Sequence, residues 1–221
     1  MEQVSSVLKR ITAEQSQNPK IIQTQKIGNS ELCSEMSKRE DILRGLCLSE
    51  PLKTFGNFKE APGLLSVKQA FREVADGVDD KKFLLCSGSS GCGKTHLLKA
   101  TSLRLYGRHI YCRYLEWYRI VQVLKEGFGK NTAPSYEKRL ENYCKATAVL
   151  IDDYGLGSTN TDWEKSQLEA IINYRYEHRL LTIITTNLSN DAVPDRVISR
   201  FRDKNIGQIV VNRAGDYRRA K

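Results

Sequence analysis

Residues Phe83-Leu84-Leu85-Cys86-Ser87-Gly88-Ser89-Ser90-Gly91-Cys92-Gly93-Lys94-Thr95-His96 decide the fold. An apolar run over 82–87 reads as a buried strand, and a helix over 94–106 follows it. Between them, residues 88–95 satisfy G-x-x-x-x-G-K-[ST] at every fixed position. Glycines at these places let consecutive backbone N–H groups turn inward, and the helix N-terminus adds the positive end of its dipole. Such a loop between strand and helix is a phosphate cradle. Gly88, Ser89, Ser90, Gly91, Cys92, Gly93, Lys94, Thr95 and the adjoining His96 form the expected binding surface for ATP with magnesium. Lys94 is assigned to the β- and γ-phosphates, and the Thr95 hydroxyl to the metal.

Downstream, Val149-Leu150-Ile151-Asp152-Asp153 is an apolar strand that ends in two carboxylates. Paired with the phosphate loop, Asp152 is expected to hold magnesium through water, and Asp153 to orient and deprotonate the attacking water. Alone, the segment would read as a strand with a charged tip. Thr185-Thr186-Asn187 closes a further strand. Asn187 either senses the γ-phosphate or the lytic water, or simply opens a loop. In Arg196-Val197-Ile198-Ser199-Arg200-Phe201-Arg202 the arginines recur at helical spacing on one face. They supply an arginine finger to a neighbouring subunit, or form a solvated basic surface.

Around these motifs strands and helices alternate. Strands are expected over 82–87, 109–114, 148–152, 181–186 and 206–211. Helices are expected over 94–106, 116–125, 135–144, 162–178 and 195–201. Continuous apolar strands separated by helices call for an α/β domain, a parallel sheet with helices on both faces. Thr54-Phe55-Gly56-Asn57-Phe58 and Pro62-Gly63 mark the approach to this domain, taken as residues 51–221. Residues 1–50 are rich in Gln, Ser, Lys and Glu, with two short helical stretches too sparsely apolar to build a core. They read either as a disordered tail or as an arm that folds against a partner.

Among 221 residues, 35 Lys and Arg stand against 26 Asp and Glu, a net charge of +9 that suits a polyanionic partner. No stretch approaches the roughly 20 apolar residues of a membrane helix. No signal peptide is read at the start, so no membrane association and a cytoplasmic location are expected. Six scattered cysteines without a CxxC pair suggest structural thiols.

Together these motifs resemble the DnaC/DnaI-type replicative helicase loaders of the AAA+ ATPases. The resemblance spans about 52–221. It includes Thr54-Phe55-x-x-Phe58, the phosphate loop with His96-Leu97, and Ile151-Asp152-Asp153-Tyr154-Gly155. It continues through Ile171-Ile172-Asn173-Tyr174-Arg175-Tyr176, Thr185-Thr186-Asn187-Leu188-Ser189, Arg196-Val197-Ile198-Ser199-Arg200 and Asp216-Tyr217-Arg218-Arg219. It implies that Arg200 is a finger acting in trans and that Arg218 is a second sensor of the nucleotide. It implies contact with single-stranded DNA inside a spiral of subunits, and a DnaB-type helicase held by the N-terminal arm.

Phe128 with Lys130, and Trp163, match the DNA role, since an aromatic beside a cation stacks on bases of any sequence. The competing placement puts both rings in the core. Cys33 and Cys47 have no histidine near them, so no structural zinc is expected in the arm. Two departures stand out: Asp153 replaces the usual Glu, and the sequence after Arg218 is too short for a C-terminal helical lid. Both imply weak hydrolysis that depends on DNA and oligomer. The nearest alternative is an IstB-like transposition ATPase acting on duplex DNA. More distant ones are a small-molecule P-loop kinase and a nucleotide-gated adaptor without turnover.

Overall fold

A computed structural model describes residues 52–59, 63–129, 134–155 and 161–217. The arm over 1–50, Lys130 and Arg218 lie outside the described residues. Five strands form one sheet: β1 (Phe83–Gly88), β2 (Cys112–Glu116), β3 (Ala148–Tyr154), β4 (Leu181–Thr186) and β5 (Gly207–Asn212). Their order is β2-β3-β4-β1-β5, and every neighbouring pair is parallel.

The continuous apolar character of the strands follows from burial on both faces. Phe83 and Leu85 of β1, Val149 and Ile151 of β3 and Ile184 of β4 face one layer. That layer contains α3 (Trp117–Lys125), α4 (Tyr136–Cys144), α5 (Asp162–Glu177) and α6 (Asp195–Arg202). The intervening residues Leu84, Cys86, Leu150 and Ile183 face α1 (Leu64–Asp76) and α2 (Lys94–Gly107) on the other side. Period-two alternation therefore sorts one strand's residues between two cores.

The structure adds α1, a helix ahead of β1 that none of the sequence motifs marks. Leu64, Val67, Ala70, Phe71 and Val74 form its buried stripe, at the three- and four-residue spacing of a helix face. Gly77, at φ 70°, ends it in the left-handed conformation that glycine adopts without strain.

Strand β2 starts three residues later than expected, because the end of α2 consumes that stretch. Arg108 and Ile110 donate their N–H groups to the Leu105 carbonyl, and His109 takes φ 58° in the turn. Strand β5 starts one residue late for a similar reason: the Ile206 N–H caps the Asp203 carbonyl. Side-chain caps open two helices, with Ser135 accepting from the Lys138 N–H and Thr161 from the Glu164 N–H.

Arg175 of α5 is fully buried and fastens the lower edge of the sheet. Its guanidinium donates to the carbonyls of Tyr143, Cys144, Ala146 and Leu181 and to the Thr182 hydroxyl. Burial lowers its pKa to about 10, so it stays charged near neutrality, held by backbone oxygens. Cys86, Cys92, Cys112 and Cys144 are free and buried, as expected of structural thiols.

Candidate nucleotide-binding site

Strand β1 delivers Gly88 to the C-terminal edge of the sheet, where the chain turns through 88–93 into α2. Gly91 and Gly93 take φ 74° and 95°. A side chain at 91 would also run into the Asp216 carboxylate, and one at 93 into the Phe58 ring. With these turns made, the first N–H groups of α2 have no carbonyl partner within the helix and face the loop.

Lys94 is 4% exposed. Its Nζ donates to the Gly88 carbonyl at 2.9 Å, the Ser89 carbonyl at 2.7 Å and Asn187 Oδ1 at 2.6 Å. An ammonium has three protons, and these contacts use all of them. A phosphate oxygen held by Lys94 would compete with these acceptors.

The loop is braced from outside on two sides. After β5, Asn212 donates to the Cys92 carbonyl at 2.9 Å, and Ser89 donates to the Ala214 carbonyl at 3.1 Å. The Tyr217 N–H reaches the Gly91 carbonyl. On the other side lies the 53–59 segment, with Phe58 buried against Gly93.

His96 is placed differently from its expected role in the cradle. Its Nε2 lies 2.8 Å from the Thr54 carbonyl, and its ring packs edge-on against Phe58, with centroids 5.1 Å apart. Because the partner is a carbonyl, Nε2 carries the proton. Burial first, and Lys53 in addition, lower its pKa, although the Thr54 bond opposes this. The imidazole thus ties the 53–59 segment to α2, and the backbone N–H is what position 96 can offer a phosphate. Neither Asn212 nor the Thr54–His96 bond was read from sequence. The Thr54-Phe55-x-x-Phe58 motif was the available signal for the second.

Strand β3 carries the paired acids to the same edge. Asp152 is 1% exposed. Tyr114 of β2 donates its hydroxyl to Oδ2 at 2.7 Å, and Thr185 of β4 donates to Oδ1. Burial, followed by the Asp152 charge, drives the Tyr114 pKa far upward and keeps the phenol a donor. The β3–β4 register shifts between Ile151 and Tyr154, and Asp153 takes φ 50° there. Its N–H bonds to Thr185 Oγ1 at 3.1 Å. One threonine hydroxyl thus fixes both acidic residues.

Among the described residues, no three His, Cys, Asp or Glu side chains converge on a metal position. The oxygen set of Thr95 and Asp152 fits a magnesium ion that also takes phosphate oxygens and water. Strand β4 lies between β3 and β1, so Asn187 stands between the acids and the loop.

Arg200 lies elsewhere. Its guanidinium sits over the Tyr176 ring, 4.5 Å from the centroid, and its Nε donates to Asn173 Oδ1 at 3.3 Å. Tyr176 in turn packs edge-on against Phe83, the first residue of β1. Phe83 and Gly88 are separated by about 16 Å along the strand. Arg200 is therefore placed toward the end of β1 away from its own phosphate loop. Arg196 on the same helix pairs with Glu169 at 3.7 Å.

Phe128 and Trp163 come together, with ring centroids 5.7 Å apart. Tyr136, which no sequence motif indicated, stacks on Phe128 at 4.6 Å. Phe128 is 56% exposed. Trp163 is half-buried against the core, and the Lys125 ammonium lies 5.5 Å from its ring centroid. The two candidate rings thus differ in exposure: one is open to solvent on part of its surface, the other largely packed.

In strand order β2-β3-β4-β1-β5, the acid-tipped strand lies one place from the loop-bearing strand, and the Asn187 strand fills the gap. That arrangement defines the AAA+ class of P-loop ATPases. The chain belongs, within that class, to the IstB-like ATP binding protein family, whose model matches residues 53–213.

Among curated relatives, it is 29% identical over 113 residues to the uncharacterized protein YqaM of Bacillus subtilis, covering 49% of this chain and 34% of that protein. To the chromosomal replication initiator protein DnaA of Pseudothermotoga lettingae it is 27% identical over 174 residues, covering 76% and 37%. The chain spans about a third of the length of these relatives.

Solved structures share its fold, among them a helicase loader and a replication initiator. The DnaC helicase loader has a TM-score of 0.58 at 22% identity, covering 72% of this chain and 96% of that one. The replication initiator DnaA bound to AMPPCP and single-stranded DNA has 0.65 at 22%, covering 75% and 51%. Among the described residues, no helix is long and apolar enough to cross a membrane.

Proposed function

We propose that this protein is a cytoplasmic, ATP-driven loader of a DnaB-type replicative helicase onto single-stranded DNA, working as a spiral of identical subunits. The observation that carries this reading is the placement of Arg200 at the opposite end of β1 from its own phosphate loop. An arginine in that position serves a neighbour's nucleotide, so hydrolysis requires assembled subunits. Lys94 and Asn187 contact the γ-phosphate, Thr95 and Asp152 hold magnesium, and Asp153 activates water. Arg200 enters from the adjacent subunit, and Arg218 returns to the nucleotide as a second sensor. Bound magnesium supplies charge neutralisation at the β- and γ-oxygens.

The DNA contact rests on the Phe128–Trp163 pair with Lys125 and Lys130, and the helicase contact on residues 1–50. DnaC in the likeness above is a helicase loader, and the DnaA structure holds single-stranded DNA, which supports extending both roles here. The family match favours one second reading, a transposition-type ATPase on duplex DNA.

Affinity for labelled single-stranded and duplex DNA, with ATP, with ADP and without nucleotide at one salt concentration, separates the two. An ATP-dependent preference for single strands is expected. A preference for duplex would favour the transposition reading instead.

A further inference from the structure

Arginine fingers act only when the guanidinium is held in one orientation, yet a free arginine side chain samples many rotamers. Two contacts restrict Arg200. The Tyr176 ring lies under the guanidinium plane at 4.5 Å, the cation–π geometry. Asn173 Oδ1 accepts from Nε, which fixes that edge of the guanidinium. The Tyr176 ring is itself oriented through Asp203, three residues after Arg200. The Tyr176 hydroxyl donates to Asp203 Oδ2 at 2.6 Å, and the Asn205 N–H bonds to Oδ1 at 2.9 Å. The ring itself is immobilised by its edge-on contact with Phe83 in the core.

We propose that Tyr176 is a positioning residue for the finger, stacking Arg200 into its trans-acting orientation while its hydroxyl occupies Asp203. This rests on the reading of Arg200 as a finger given above. Tyr176 touches no nucleotide in its own subunit. A subunit altered at this position therefore keeps a working phosphate loop and presents a faulty finger to its neighbour.

The experiment is DNA-stimulated ATP turnover of the full chain with subunits mixed in varying ratio. Tyr176→Leu removes stack and hydroxyl together. Tyr176→Phe keeps the ring on Phe83 and removes the hydroxyl alone, which preserves the test if the leucine variant folds poorly. Tyr176→Leu alone should lose about 100-fold in kcat, the cost of a misplaced catalytic group, with KM for ATP unchanged. Tyr176→Phe should lose less. Mixing either variant with Lys94→Ala subunits, which carry an intact finger, should restore turnover. Mixing either with Arg200→Ala subunits should restore none.

The inference is overturned if Arg200→Ala is rescued by Lys94→Ala subunits while the Tyr176 variants are not, or if those variants turn over like the unaltered chain. If Arg200→Ala is not rescued at any ratio, the finger reading and this inference fall together.

Discussion

Lys94 Nζ donates to Asn187 Oδ1 at 2.6 Å, joining residues 93 positions apart in sequence across the mouth of the site. The bond ties the tip of β4 to the phosphate loop. On the proposed reading, an incoming γ-phosphate would compete with this amide oxygen for the lysine and couple binding to the position of β4 through one ammonium.

Asn187→Ala should leave ATP affinity within a few-fold and lower kcat by about tenfold to a hundredfold. A hydrogen bond to a charged group is worth about 1.5–3 kcal/mol, and each 1.4 kcal/mol is tenfold. Lys94→Ala should abolish nucleotide binding instead. Single-turnover hydrolysis with a fluorescent-nucleotide titration separates the two effects. Equal losses of affinity in both variants would refute a sensing role for Asn187.

Thr185 deserves its own variant, because its hydroxyl donates to Asp152 and accepts the Asp153 N–H. Thr185→Val keeps the shape and removes both bonds. Magnesium half-saturation of turnover should rise several-fold, and stability should fall by about 1–3 kcal/mol as buried polar groups lose a partner. A magnesium titration and a urea melt measure these together. An unchanged magnesium requirement would show that Asp152 needs no help in aiming its carboxylate.

The His96 contact predicts a pH dependence of a particular sign. Its pKa in the folded protein lies below the ordinary 6.5. Between the lowered value and the ordinary one the unfolded chain binds more protons than the folded chain. Stability is thus fully present above the ordinary value and is lost as pH falls through that window. Protonation also puts a second cation beside Lys53. Hydrogen exchange of residues 53–59 should therefore quicken relative to the sheet between about pH 8 and about pH 5. His96→Gln, which can still donate to the Thr54 carbonyl, should flatten the dependence. A profile that is flat in the unaltered chain would contradict it.

Arg175 makes a stability prediction without a functional one. Arg175→Met leaves the carbonyls of Tyr143, Cys144, Ala146 and Leu181 without the donor they share. The loss should be about 3 kcal/mol or more, since each stranded polar group carries a desolvation penalty. Equilibrium urea unfolding measures it. A change under about 1 kcal/mol would place Arg175 among ordinary surface substitutions.

Local sequence carried the elements of the site well. The glycine loop, the paired acids on an apolar strand and the Asn187 strand are each a contiguous stretch that a local window contains whole. Strand β4 matches its expected bounds, Leu181–Thr186.

What was not legible depends on register between distant elements. Tyr176 and Arg200 meet only because the α5 and α6 faces align. Tyr136 and Phe128 meet only because the turn after α3 folds back onto α4. The bend that sets Asp153 at φ 50° arises from mismatch between β3 and β4, which no window on β3 alone contains. His96 was absorbed into the loop motif by adjacency, whereas its ring belongs to a contact with Thr54, 42 residues earlier.

The aromatic cluster gives the last prediction. One face of Phe128 rests on Tyr136, so only the opposite face and the edges are open to a base. Trp163 is half-buried, and its ring is neighboured by both Phe128 and the Lys125 ammonium. The two positions should therefore respond differently. Phe128→Ala should weaken single-stranded DNA binding by about 1–3 kcal/mol with little change in stability, the worth of one stacked base. Trp163→Ala should weaken DNA binding too, but at a cost in stability from lost packing. Tyr136→Phe should spare DNA binding, because it preserves the stack, whereas Tyr136→Ala should weaken it by letting Phe128 move. Fluorescence anisotropy and urea melts on the same four variants read out both quantities. If Phe128→Ala binds DNA normally while Trp163→Ala does not, the exposed ring is not the stacking platform, and the contact passes to the Lys125 and Trp163 side of the cluster.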